Sequence, residues 1–210
     1  MKNLVKLFTP PILIIFIRKF FTMFNKRISL FDGINKDFIY YAKNAKIYGE
    51  YGVGLSTQFA AKELNLKTIS VDSSEEWINK VKVNLNGHNN STLININVGE
   101  LGAWGRPLDY SKRENFNRYL EALWDLGVKP DFVLIDGRFR VACFLTTLLH
   151  ANEDTIIAFD DYVSRPYYHV VEEVLSPFLI NDRQAFFKTT RKYNHDLIHD
   201  LLSKFIYVMD

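Results

Sequence analysis

The segment Glu50-Tyr51-Gly52-Val53-Gly54-Leu55-Ser56-Thr57 has the residue types of a ligand-binding turn, with two glycines between an apolar run and a stretch of helical spacing. Gly52 and Gly54 allow a sharp backbone turn and the close approach of a ligand. Ser56 and Thr57 lie near the start of the following helix, where free N–H groups attract negative charge. A dinucleotide fingerprint would carry Gly or Ala where this chain has Thr57, so that match is broken. Glu50, just ahead of the turn, is placed to hold an ammonium group and would repel a pyrophosphate. The combination points to a ligand with positive charge and no phosphate; the competing reading is a plain strand–helix turn with Glu50 solvated.

Asp72 follows Gly54 by 18 residues, close to the spacing at which an acid at a strand end meets ribose hydroxyls. A carboxylate can accept from both hydroxyls; it can also simply cap the next helix. Ser73, beside it, joins the expected ligand contacts and forms a capping-box pattern with Glu76. Further on, Gly99-Glu100-Leu101-Gly102-Ala103-Trp104-Gly105-Arg106-Pro107 is a glycine-bearing loop in which Trp104 offers a flat face for stacking. The competing reading is a surface loop pinned by a buried Trp.

The third set is Asp136, in Ile135-Asp136-Gly137, with Asp160 and Asp161, in Phe159-Asp160-Asp161-Tyr162. If these strand ends are neighbours, three carboxylates converge and repel unless a cation or proton intervenes. Hard oxygen ligands suit Mg²⁺ or another divalent cation, which could hold and acidify an acceptor hydroxyl. The alternative is that Asp136 and Asp161 cap helices. Arg138, Arg140, Arg165 and His169 follow, able to pair with the aspartates or to bind an acidic substrate group. His169 is a candidate general base, since imidazole titrates near neutrality, or else a lone surface histidine.

These segments fall at the joints of an alternating pattern. Strands are expected at 46–50, 67–72, 92–98, 131–136 and 155–160, with helices at 55–64, 75–85, 114–126, 139–150 and 167–175. Two late strands, 184–190 and 205–209, flank a helix at 194–202. Runs such as FVLI and TIIAF suit strands covered on both faces. The expected fold is α/β: a doubly wound, mostly parallel seven-stranded sheet over 33–210, preceded by an N-terminal helix and linker at 1–32.

Composition bounds the partners. The chain has 210 residues, 48% apolar and 24% charged, as in one globular domain. Its net charge of +2 gives no nucleic-acid footprint. Cys143 is the sole cysteine, which excludes an intramolecular disulfide and suits a reducing compartment, so a cytoplasmic location is expected. Residues 7–17 (LFTPPILIIFI) are almost wholly apolar, too short for a spanning helix, and bordered by Lys2, Lys6, Arg18 and Lys19. A helix over 11–24 would pack on the body, pack on a second subunit in a homodimer, or give residues 7–24 a peripheral membrane contact.

From Ile47 to Tyr168 the sequence resembles the class I S-adenosylmethionine-dependent methyltransferases. Glu50-Tyr51-Gly52-Val53-Gly54 is similar to the family's glycine motif and Asp72 to its acidic ribose position. The stretches GAWGRP, PDFVLIDGRFRVACF and FDDYVSRPYYHVVEEVL resemble a bacterial subgroup linked to glycan or sugar modification. Asp136, Asp160 and Asp161 resemble the metal ligands of macrocin- and catechol-type O-methyltransferases, although Arg138 stands where macrocin-type enzymes often carry an acid. The resemblance implies that S-adenosylmethionine is held by Glu50, Gly52, Gly54, Ser56, Thr57, Asp72, Ser73, Trp104 and Asp136. It implies methyl transfer to a small-molecule or glycan hydroxyl, with Asp136 and Asp160 catalytic, to which the residue types add His169 as the candidate base. Two rival readings remain: a nicotinamide-dependent oxidoreductase on a similar sheet, and a non-catalytic module docking at a membrane or glycan-assembly complex.

Overall fold

A computed structural model describes residues 30–31 and 36–210. The helix expected at 11–24 and the contacts expected of 7–24 lie outside the described residues. The elements are α1 (Lys36–Asn44), β1 (Ile47–Tyr51), α2 (Leu55–Gln58, continued by a wider π-type turn at Phe59–Glu63), β2 (Lys67–Asp72), α3 (Glu75–Asn84) and β3 (Ser91–Asn95). They continue with α4 (Phe116–Glu121), β4 (Phe132–Ile135), α5 (Arg140–His150), β5 (Ile156–Phe159), β6 (Leu179–Ile180), β7 (Ala185–Lys188) and α6 (His195–Phe205).

The strands form one seven-stranded sheet in the order β3-β2-β1-β4-β5-β7-β6. The pairs from β3 through β5 are parallel, while β7 runs antiparallel to β5 and β6. The doubly wound, mostly parallel sheet is therefore as expected. The strand expected at 205–209 is not formed: α6 runs through Phe205, and the seventh strand is the short β6. The helix expected at 167–175 is a 3₁₀ stretch, Pro166–Glu173. Among the described residues no helix is long and apolar enough to cross a membrane.

Strand alternation sorts the core to the two faces of the sheet. Tyr48, Phe132, Leu134, Ala158 and Phe186 pack with Phe38 of α1 and Phe59 behind α2. Tyr51, Val71, Val133, Ile135, Ile157 and Phe159 pack with α4, α5 and α6. α5 is buried from Arg140 to Leu148, as a central helix between sheet and outer helices must be. Each fully buried large side chain contributes roughly 1.5–3 kcal/mol. An exposed pair such as Lys112–Glu114 contributes only about 0–1 kcal/mol, so the two apolar layers hold the fold. Connections leave the sheet in opposite directions between β1 and β4, which opens a crevice at their carboxyl ends.

Candidate functional site

A cleft of about 510 Å³ lies at that crevice, lined by the glycine turn, Asp72, Trp104, Asp136 and several arginines. Gly52 has φ +98°, a conformation that disfavours side chains. A Cβ there would come within 2.7 Å of the Gly137 nitrogen, and one on Gly137 within 2.8 Å of the Gly52 nitrogen. The two glycines thus sit back to back at the ends of β1 and β4. A Cβ on Gly54 would meet nothing within 4 Å, so this position faces open space in the cleft. Thr57 does not line the cleft; its Oγ1 accepts the Gly54 N–H at 2.9 Å and fixes the turn from behind.

Glu50 is placed differently from its sequence expectation. β1 extends one residue past it, so Glu50 follows Tyr48 in pointing onto the face covered by α2. It is fully buried and does not line the cleft. Its Oε2 accepts from the Tyr48 and Ser56 hydroxyls, both at 2.8 Å, and its Oε1 from the Ser70 hydroxyl at 2.7 Å. Burial pushes this carboxyl up to about 7, against the lowering effect of these donors. Glu50 therefore braces the helix start beneath the glycine turn from behind the cleft.

Asp72 does reach the cleft. Its Oδ2 accepts the Val53 N–H and its Oδ1 the Ser74 N–H, both at 2.7 Å. Burial raises its pKa, opposed by these backbone N–H groups. The helix cap is Ser74, which accepts from the Trp77 N–H, and not Ser73. Ser73 lines the cleft and donates its hydroxyl to the Gly105 carbonyl at 3.0 Å, tying down the glycine loop. Trp77 is 38% exposed and lines the cleft. Trp104 is 84% exposed, so the reading of a loop pinned by a buried Trp is excluded.

The three aspartates converge as expected, with ligand-type oxygens within 4.8 Å of one another. Each already has a guanidinium partner. Asp136 pairs with Arg140 at 3.1 Å, Asp160 with Arg183 at 2.6 Å, and Asp161 with Arg183, Arg165 and Arg140 at 2.8, 2.9 and 3.3 Å. Asp160 is fully buried beneath the cleft, where Arg183 and Gln184 saturate its carboxylate. Arg140, also buried, donates to the carbonyls of Asp136, Gly137 and Asp160, joining the ends of β4 and β5. Burial, then the neighbouring Asp160 and Asp161, push the Asp136 carboxyl up to about 8 despite Arg140.

Comparison with solved structures finds the same fold in methyltransferases. A methyltransferase-like protein from Silicibacter pomeroyi is 30% identical, with a TM-score of 0.73 over 81% of this chain and 92% of that one. The chain belongs to the methyltransferase-like family. Two O-methyltransferases share its fold at low identity. One, from Bacillus cereus in complex with SAH, has a TM-score of 0.50 and 15% identity over 72% of this chain and 76% of that one. The other, an SAM-dependent enzyme from Thermotoga maritima, has a TM-score of 0.52 and 12% identity over 81% and 70%. No protein-family model matches the sequence, and no curated protein matches it by sequence.

In this methyltransferase-like chain, Gly52, Gly54, Ser56, Asp72, Ser73, Trp104, Asp136 and Asp161 line one cleft, while Glu50, Thr57 and Asp160 lie behind it. His169 is not brought to it. Its ring stacks on Tyr162 at 4.5 Å, and Nε2 lies 3.1 Å from the Tyr162 carbonyl. Arg165 precedes the 3₁₀ stretch that carries His169. The acid cluster does not fit a resident divalent cation in this arrangement, because three guanidiniums already occupy its oxygens and match its charge. Arg183 had no signal in the sequence: it comes from the turn between β6 and β7, far from the aspartates along the chain. Gly137 did have one, the Asp-Gly pair ending β4.

Proposed function

We propose that this protein transfers a methyl group from S-adenosylmethionine to an acceptor hydroxyl, with sugars or glycans as the acceptor class. The observation that carries the reading is the Val53 N–H to Asp72 bond, which joins the glycine turn and the second acidic strand end within one cleft. The residues fit such a cofactor. Asp72 uses two of its roughly four acceptor sites on backbone N–H groups, leaving the others for ribose hydroxyls. Trp77 offers an apolar face beside it, and Gly54 leaves the turn open. The broken fingerprint at Thr57 argues against a nicotinamide cofactor.

When bound, the sulfonium would supply an electrophilic methyl group. The protein's part is then to align an acceptor oxygen and take its proton. Asp136, on the cleft wall beside the glycine turn, is placed to accept that proton in its ionised form. Arg140 holds it in place. Asp160 and Asp161 act through the arginines, as positioning residues, and no step is routed through a metal.

Isothermal titration with S-adenosylhomocysteine tests this reading. Micromolar affinity is expected, weakened at least tenfold by Asp72→Ala. No heat at high micromolar ligand, from a folded protein, would sink it.

A further inference from the structure

A second groove, of about 840 Å³, adjoins the cleft and shares Trp104, Arg138 and Arg165 with it. Three features set it apart. The first is Trp104, held at φ +61°, ψ +24° while 84% exposed. A bulky residue in the left-handed region costs about 1 kcal/mol or more, and exposure recovers none of it by burial. The loop enforces the conformation through the Gly102 N–H to Arg106 carbonyl bond and the Ser73 anchor on Gly105. The second is a set of half-exposed rings on the same groove: Tyr110, Tyr167 and Tyr207.

The third is charge. Arg106, Arg138 and Arg165 line the groove, against one acid, Asp210. Arg165 is paired with Asp161, and Arg138 donates to the Asp210 main-chain carbonyl. Arg106 forms no ion pair within 4.0 Å among the described residues. Asp210 is itself partly engaged, accepting the Arg140 backbone N–H. Of the acids in the neighbouring cleft, Asp136 and Asp161 are paired with Arg140, Arg165 and Arg183, while Asp72 partly balances Arg138, which leaves Arg106 as the uncompensated cation of the groove.

We infer that this groove is the acceptor subsite and that it takes an acceptor bearing a ring and an anionic group, a carboxylate or a phosphate. The inference rests on the cofactor reading of the adjacent cleft. Aromatic faces stack on the apolar faces of sugar or aromatic rings, and guanidiniums bind carboxylate or phosphate through paired N–H groups. Arg106 and Arg138 fix the anion, Trp104 takes the ring, and the shared wall carries the acceptor hydroxyl toward Asp136.

The test uses the full chain and three probes with the same ring: 4-nitrophenyl β-glucoside, its glucuronide and its 6-phosphate. Affinity is measured by saturation-transfer NMR with S-adenosylhomocysteine present and absent. At least one of the two anions should bind ten times more tightly than the neutral glucoside, and the better anion identifies the charged group. Arg106→Gln should remove that preference while leaving S-adenosylhomocysteine affinity unchanged. If S-adenosylhomocysteine binds but the three glycosides bind equally or not at all, the acceptor inference is overturned. If the anions bind with the stated preference and S-adenosylhomocysteine does not, the groove stands as an anion site and the cofactor reading fails.

Discussion

Glu50 shows how one residue of strand geometry changes a role. As a strand-tip acid it would meet a ligand; with β1 continuing to Tyr51 it is enclosed by Tyr48, Ser56 and Ser70. Its proton is held to about pH 7 in the fold, while an unfolded chain releases it near 4.5. The folded state therefore binds the extra proton, and stability falls as pH rises between those values. At roughly 1.4 kcal/mol per pH unit the loss is about 3 kcal/mol. Glu50→Gln should flatten that fall in urea unfolding between pH 5 and 8; an unchanged slope would refute the buried-acid account. Gly137 sits at the same scale. An added methyl would lie 2.5 Å from the Tyr119 hydroxyl oxygen and 2.8 Å from the Gly52 nitrogen. Gly137→Ala should cost about 1–3 kcal/mol by overpacking and weaken S-adenosylhomocysteine binding, because the clash falls on the glycine turn. Unaltered denaturation midpoint and affinity would show that the turn can yield.

Among the elements, the antiparallel β6–β7 hairpin contributes most beyond its size. Its turn delivers Arg183 onto Asp160 and Asp161, which belong to the end of β5. Asp160 is fully buried, so removing its partner strands a charge away from water. Arg183→Ala should destabilise the protein by about 3–5 kcal/mol. Adding Asp160→Asn should recover part of that loss, since no buried charge then remains. Equal stability of the single and double variants, by chemical denaturation, would contradict the pairing. The hairpin was only half legible in the sequence: the apolar run at 184–190 announced β7, while β6 is two residues long and carries no alternation to read. The helix at 195–205 kept its pattern past the expected end, because Phe205 and Ile206 pack on the core and displace the strand expected there.

At the scale of the whole molecule, both apolar layers share the strands β1, β4 and β5, so the sheet should unfold as one unit. A ligand at the carboxyl ends of those strands stabilises all of it. S-adenosylhomocysteine at 100 times its dissociation constant should add about 2.7 kcal/mol, which raises the melting temperature by roughly 5–10 °C for a chain this long. No rise by scanning calorimetry would mean that S-adenosylhomocysteine does not bind the folded chain. The sequence determined the alternation of strands and helices, the crevice at the glycine turn and the convergence of three aspartates, because periodicity and turn chemistry are local. Tertiary structure alone decided which acids face the cleft and which are buried. It turned His169 away, brought Arg183 onto the cluster in place of a cation, and exposed Trp104 on a strained turn. Those outcomes depend on strand length, face and long-range pairing, where a shift of one residue reverses a side chain and no neighbouring residue records it.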